Sequence, residues 1–191
     1  NKWYHVSSVS NGETLKLYVN GVLTGKREIN GQFSDISSVH IGNSLYDSNT
    51  HALDGKLQDA RVYNRVLSGS EVKKLYQQGS GRYASPPTRE NSGIAYWSFE
   101  EDDGDRVVQD AWENKDGVMG VDTNSTDPEY TENGKVESGL LFDDNDTVNF
   151  GHIDFGESFT ASTWVKMREE NDYRWVLGQR RGAGVNRGWN I

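Results

Sequence analysis

Leu15-Lys16-Leu17-Tyr18-Val19-Asn20-Gly21-Val22-Leu23 reads as a β-hairpin. Leu15, Leu17 and Val19 alternate with Lys16 and Tyr18, the period of a strand with one buried face. Asn20-Gly21 then supplies the dipeptide that tolerates two positive φ angles in a tight turn, and Val22-Leu23 begins the return. Outward from this hairpin the same period recurs. Trp3 to Val9, Ser38 to Ile41 and Lys56 to Tyr63 read as strands, with further turn signals at Asn11-Gly12, Asn30-Gly31 and Asn133-Gly134. One segment departs from it. Ser68 and Glu71 form a capping box, Val72, Leu75 and Tyr76 follow at i, i+3 and i+4, and Gly79 is placed to end a short helix.

Composition narrows the class. The chain has 191 residues, enough for one ordinary domain, and no cysteine, which removes disulfide scaffolds, zinc ribbons and thiol chemistry together. Six Trp, nine Tyr and six Phe are too much apolar surface for a disordered segment. Mean hydropathy is -0.81 and no apolar run approaches the roughly 18 residues of a membrane helix, so no membrane span is predicted. The chain opens on Asn1 without a basic and apolar leader and is read as an excised piece of a longer protein. Charge is uneven. Residues 90–157 hold 19 acidic groups against Arg106, Lys115 and Lys135, while residues 1–80 carry a net +2. That field repels phosphate backbones, so nucleic acid is not expected as a partner. The acidic excess has three readings: solvated surface, adaptation to salt, or carboxylates gathered around a hard cation.

Residues 80–91, with Pro86-Pro87 among Ser, Gly, Arg and Thr, read as a linker. Period two resumes after it in Ala95, Trp97 and Phe99, in Leu140 and Phe142, in Val148 and Phe150, and in Phe159, Ala161, Thr163 and Val165. The stretch Glu100 to Glu137 is poor in large apolar residues and is expected to be mostly loop.

In these segments the chain resembles the laminin G-like, concanavalin A-like jelly-roll modules. Trp3-Tyr4-His5-Val6, the strand Leu15 to Gly21, Ile41-Gly42, Gly55 through Leu67 and the helix Ser68 to Gly79 resemble the second half of such a module. Ala95 to Glu100, Asp110, Gly139 to Asp143, Thr147 to Phe150 and Phe159 to Lys166 resemble the first half. The fold this implies is all-β, an antiparallel two-sheet jelly-roll sandwich with one short helix. Residues 1–79 and 92–191 then supply the two halves in inverted order. That order fits a circular permutant closing within one chain, which is the preferred reading and implies a monomer. It also fits a cut across two tandem modules completed by neighbouring laminin G-like modules or by a swapped dimer. Neither half can bury a sandwich core alone, because each leaves a bare apolar sheet face.

The resemblance also carries expectations about chemistry. It implies a calcium ion held by Asp59, Glu100, Asp110 and Asn114, with Gln58 standing where an acidic residue is common. Acidic Gly- and Asn-rich loops do supply the six to eight oxygens calcium takes. It implies an extracellular, non-catalytic recognition module for a glycan or cell-surface protein, with a purely structural repeat of a surface array as the alternative. Sugars stack their C–H faces on exposed rings, which makes the loop aromatics Trp112, Tyr46, Tyr173 and Trp175 the candidate ligand contacts; Trp3, Trp97 and Trp164 are assigned to the core. Catalysis is not expected. Glycoside hydrolysis needs two carboxylates flanking one bond, and here acidic residues fall in runs such as Glu100 to Asp103, while His5, His40, His51 and His152 are dispersed. Asn124-Ser125-Thr126 and Asn145-Asp146-Thr147 fit the glycosylation sequon.

Overall fold

The computed structural model describes residues 2–29, 38–43, 52–79, 93–100, 104, 106–112, 115–120, 126–143, 145–168, 174–180 and 188–190. The linker 80–91 and the Asn30-Gly31 turn lie outside them. The hairpin forms as the sequence predicts. β1 (Tyr4–Asn11), β2 (Thr14–Val19) and β3 (Val22–Glu28) are joined by Gly12 at φ 87° and by Asn20 and Gly21 at φ 52° and 76°, the two positive angles of a tight hairpin turn. Asn20 is anchored as well, its Oδ1 accepting the His5 N–H at 2.9 Å.

The remaining elements are β4 (Ser38–Ile41), β5 (Gly55–Tyr63), α1 (Gly69–Gln78), β6 (Gly93–Trp97), β7 (Val107–Val108), β8 (Gly117–Met119), β9 (Glu129–Thr131), β10 (Gly139–Phe142), β11 (Val148–Asn149), β12 (Ser158–Met167), β13 (Leu177–Arg180) and β14 (Gly188–Asn190). Among the described residues one sheet runs β3-β2-β1-β12-β5-β10-β9, with β6 also paired to β5, and the other runs β14-β13-β4-β11-β8-β7. All these pairings are antiparallel. Strands from either side of residues 80–91 sit side by side in both sheets; β12 lies between β1 and β5, and β4 between β13 and β11.

Two apolar clusters result. Ile41, Leu57, Trp97, Phe99, Leu140, Phe142, Phe159 and Leu177 belong to the main core, each worth about 1.5–3 kcal/mol of burial. Val9, Tyr18, Tyr63, Val72, Leu75, Tyr96 and Trp112 form the second, which seats α1 on the first sheet. Period two sorts the residues. In β12 Phe159, Ala161 and Val165 enter the main core, while Trp164 meets His5 and Tyr76 at ring separations of 5.3 and 5.6 Å. Trp97 and Trp164 are buried as expected, whereas Trp3 is only half-buried. The capping box is present: Ser68 Oγ accepts the Glu71 N–H and Glu71 accepts the Ser68 N–H, while Arg65 pairs with Glu71 at 2.7 Å. At the other end Gly79 lies so close to the Trp164 indole that a Cβ there would collide with Nε1.

β3 is a sheet edge and leaves Val22 and Leu23 exposed, with Lys26, Arg27 and Glu28 supplying the charges that discourage edge pairing.

Two histidines in this framework are buried where a second, charging proton is disfavoured. Burial, helped by the Arg61 charge, lowers the His5 pKa to about 3, and burial lowers that of His40 to about 4. Both titrate near 6.5 in the unfolded chain. The unfolded state therefore binds more protons below that value. The stability these groups contribute is complete above pH 6.5 and is lost as pH falls toward 4 and 3, by up to about 1.4 kcal/mol per pH unit for each. Urea unfolding at pH 7.5, 6 and 5 is expected to show a falling midpoint, with a shallower slope in His5→Phe. Equal slopes in the two proteins would contradict this account of His5.

Candidate functional site

The most structured polar region lies on the face of the first sheet that carries α1, and an irregularity in β5 creates it. Ser162 pairs with Arg61 and Trp164 with Gln58, so Asp59 and Ala60 together oppose Thr163. This is a β-bulge, with Asp59 in the left-handed region at φ 58°, which Asp tolerates better than most residues. The extra residue resets the alternation. Leu57, Ala60 and Val62 all reach the main core, and Gln58, Asp59 and Arg61 meet polar partners outside it. Just after β6, Phe99 is also left-handed, at φ 61°, and the Ser98 carbonyl accepts the Asp59 N–H at 3.4 Å.

Asp59 and Arg61 form a buried bidentate pair. Arg61 Nε and Nη2 donate to Asp59 Oδ1 and Oδ2 at 2.6 and 2.9 Å, and the guanidinium sits 4.9 Å from the Tyr96 ring centroid. Gln58 is the second hub. Its Nε2 donates to Glu100 Oε1 at 3.2 Å, and its Oε1 accepts the Lys135 and Val136 N–H groups at 2.5 and 3.0 Å. Lys135 Nζ rests 4.7 Å from the Trp164 ring centroid. Gln58, Asp59, Glu100, Lys135 and Trp164, with Gly79, Tyr96 and Ser98, line a shallow cleft of about 210 Å³, counting the space open to solvent; Arg61 lies behind Asp59 and does not line it.

The residues assigned to calcium are engaged separately. Asp59 is held by Arg61 and Glu100 by Gln58. Asp110 is buried, its Oδ1 accepting the Tyr96 and Trp112 N–H groups at 2.8 and 2.9 Å and its Oδ2 the Lys115 N–H at 3.0 Å. Asn114 lies outside the described residues. Among the described residues no three acidic or histidine side chains converge where they could hold a metal. Among the described donors, both Asp59 oxygens face Arg61 and both Asp110 oxygens face backbone amides, which does not suit the six to eight oxygens that calcium takes.

The aromatic candidates are also redistributed. Trp112 is 8% exposed; its ring packs against Tyr63 and Tyr96, and Gly93 makes room for it. Trp175 is likewise 8% exposed, with Nε1 donating to the His40 carbonyl at 3.4 Å. Neither offers a ring face to a ligand. Loop-like polarity around Trp112 reflects the Asp110 turn, which buries the ring it carries. Tyr46 and Tyr173 lie outside the described residues. Lys135, which lines the cleft, and Arg61, which pairs with Asp59, went unassigned in the sequence; the signal for Arg61 was its i+2 spacing from Asp59 on one strand.

A second acidic group stands apart. Asp146 is buried in the turn between β10 and β11, where its Oδ2 accepts the Asp143 N–H at 2.8 Å. Burial, reinforced by the Asp143, Glu129 and Asp127 carboxylates, raises its pKa to about 6.

Residues 1–73 match a laminin G-type family model described as the concanavalin A-like lectin/glucanases superfamily. The chain folds as a concanavalin A-like jelly-roll sandwich. Comparison with curated proteins and with solved structures gives no match. The superfamily fold supports carbohydrate or protein binding in general.

Asp59→Ala removes one partner of a buried pair and is expected to cost about 3–5 kcal/mol in urea unfolding. A loss below about 1 kcal/mol would reduce the pair to the standing of an exposed one. At Asp146 the raised pKa means that stability is fully present below pH 3.8 and lost as pH rises through about 6. Asp146→Asn is therefore expected to raise the melting temperature at pH 7.5 and leave it unchanged at pH 4, and a lowered value at pH 7.5 would contradict this.

Proposed function

We propose that the protein is an extracellular, non-catalytic recognition module that binds carbohydrate or a glycoprotein at a cell surface. The observation that carries this reading is the superfamily match over residues 1–73, on a sandwich of that fold. The chemistry of the polar groups supports it. The buried carboxylates of Asp59 and Asp110 accept hydrogen bonds from Arg61 and from backbone amides, contacts that fix the backbone around them.

The contacts follow from which aromatic rings are buried. With Trp112 and Trp175 packed inside, Tyr46 and Tyr173 carry the expected ring contacts. Among the described residues, β4 and β13 pair with Ile41 opposite Leu177, the Gly42 N–H donates to the Val176 carbonyl at 3.2 Å, and Arg174 Nη1 donates to the Ala52 carbonyl at 3.1 Å.

The labelled chain on an array of glycans and glycoproteins is expected to bind a defined subset, with at least a tenfold loss in Tyr46→Ala or Tyr173→Ala. It is expected to release no reducing ends from β-glucans. Catalytic release, or binding untouched by both substitutions, would contradict the respective part of the proposal.

A further inference from the structure

We infer that the position at which the resemblance implies calcium is held in this chain by its own cation and amide groups, so that the joint it forms is independent of metal. Asp59 is the decisive residue. Both its oxygens are bound by Arg61, and the two side chains are 9% and 3% exposed. A calcium ion taking Asp59 would compete with a guanidinium that already holds both carboxylate oxygens in a buried place beside the Tyr96 ring.

The other donors are committed in the same manner. Gln58 brings a neutral amide to this place, and its N–H end satisfies Glu100 while its oxygen fastens the turn at Lys135 and Val136. One side chain of β5 thereby ties together the residues after β6 and those before β10. Asp110 receives three backbone N–H bonds, which fix the turn that buries Trp112. Calcium takes six to eight oxygens turned toward it, and here both oxygens of Asp59, both of Asp110 and one of Glu100 already face donors. The Asp59 bulge aims its carboxylate at Arg61, two residues along the same strand. The network does mechanically what a shared ion would do: it holds β5, β6 and the turn before β10 in one geometry.

Calcium titrations of the full chain, followed by calorimetry and by melting temperature against a chelator, test this in the wild type, Asp59→Asn and Glu100→Gln. The expected result is one calcium response, of whatever size, common to all three proteins. A response present in the wild type and weakened at least tenfold in affinity by either substitution would overturn the inference. Glu100 is half-buried and outside the Arg61 pair, so Glu100→Gln keeps the test decisive where Asp59→Asn fails to fold.

Discussion

The bulge at Asp59 is the constraint on which the rest of this molecule depends. β5 is paired on one edge with β12 and on the other with β6 and β10, so its register is fixed from both sides. A strict alternation would carry Ala60 and Val62 out of the main core once Leu57 is placed in it. One extra residue in the left-handed region returns both to the core and leaves Gln58, Asp59 and Arg61 for polar work on the helix-bearing face. The fold and the candidate site are thus two consequences of a single backbone irregularity.

That irregularity also explains why the polar groups of the region are internal. Arg61 is neutralised by Asp59, set over the Tyr96 ring and felt by His5, whose protonation it opposes. The helix sits on this floor through Val72 and Leu75, and its last turn closes against Trp164 where Gly79 lacks a side chain.

Much of the fold was legible in the sequence because period two and Asn-Gly turns are local signals. The Asn20-Gly21 hairpin, β4 and the capped helix stand where their residues place them. What stayed hidden depends on backbone geometry and on non-local partners. The Asp59–Arg61 pair needs the bulge that turns the two side chains together, Glu100 meets Gln58 from a distant part of the chain, and Trp112 looks exposed until the Asp110 turn folds it against Tyr63 and Tyr96. Polar neighbours in sequence signalled solvent there, whereas the structure uses them to bond the backbone around a buried ring. The bulge itself was unreadable, since Asp at φ 58° leaves no mark that Asp in a regular strand would lack.

A crystal structure of the chain grown in calcium, with anomalous scattering measured to locate the ion, tests the central claim most directly. The account predicts Arg61 bidentate on Asp59 and Gln58 bridging Glu100 to the Lys135 turn, with no anomalous peak among them. A calcium peak bound by Asp59 and Glu100, with Arg61 turned away, would contradict it.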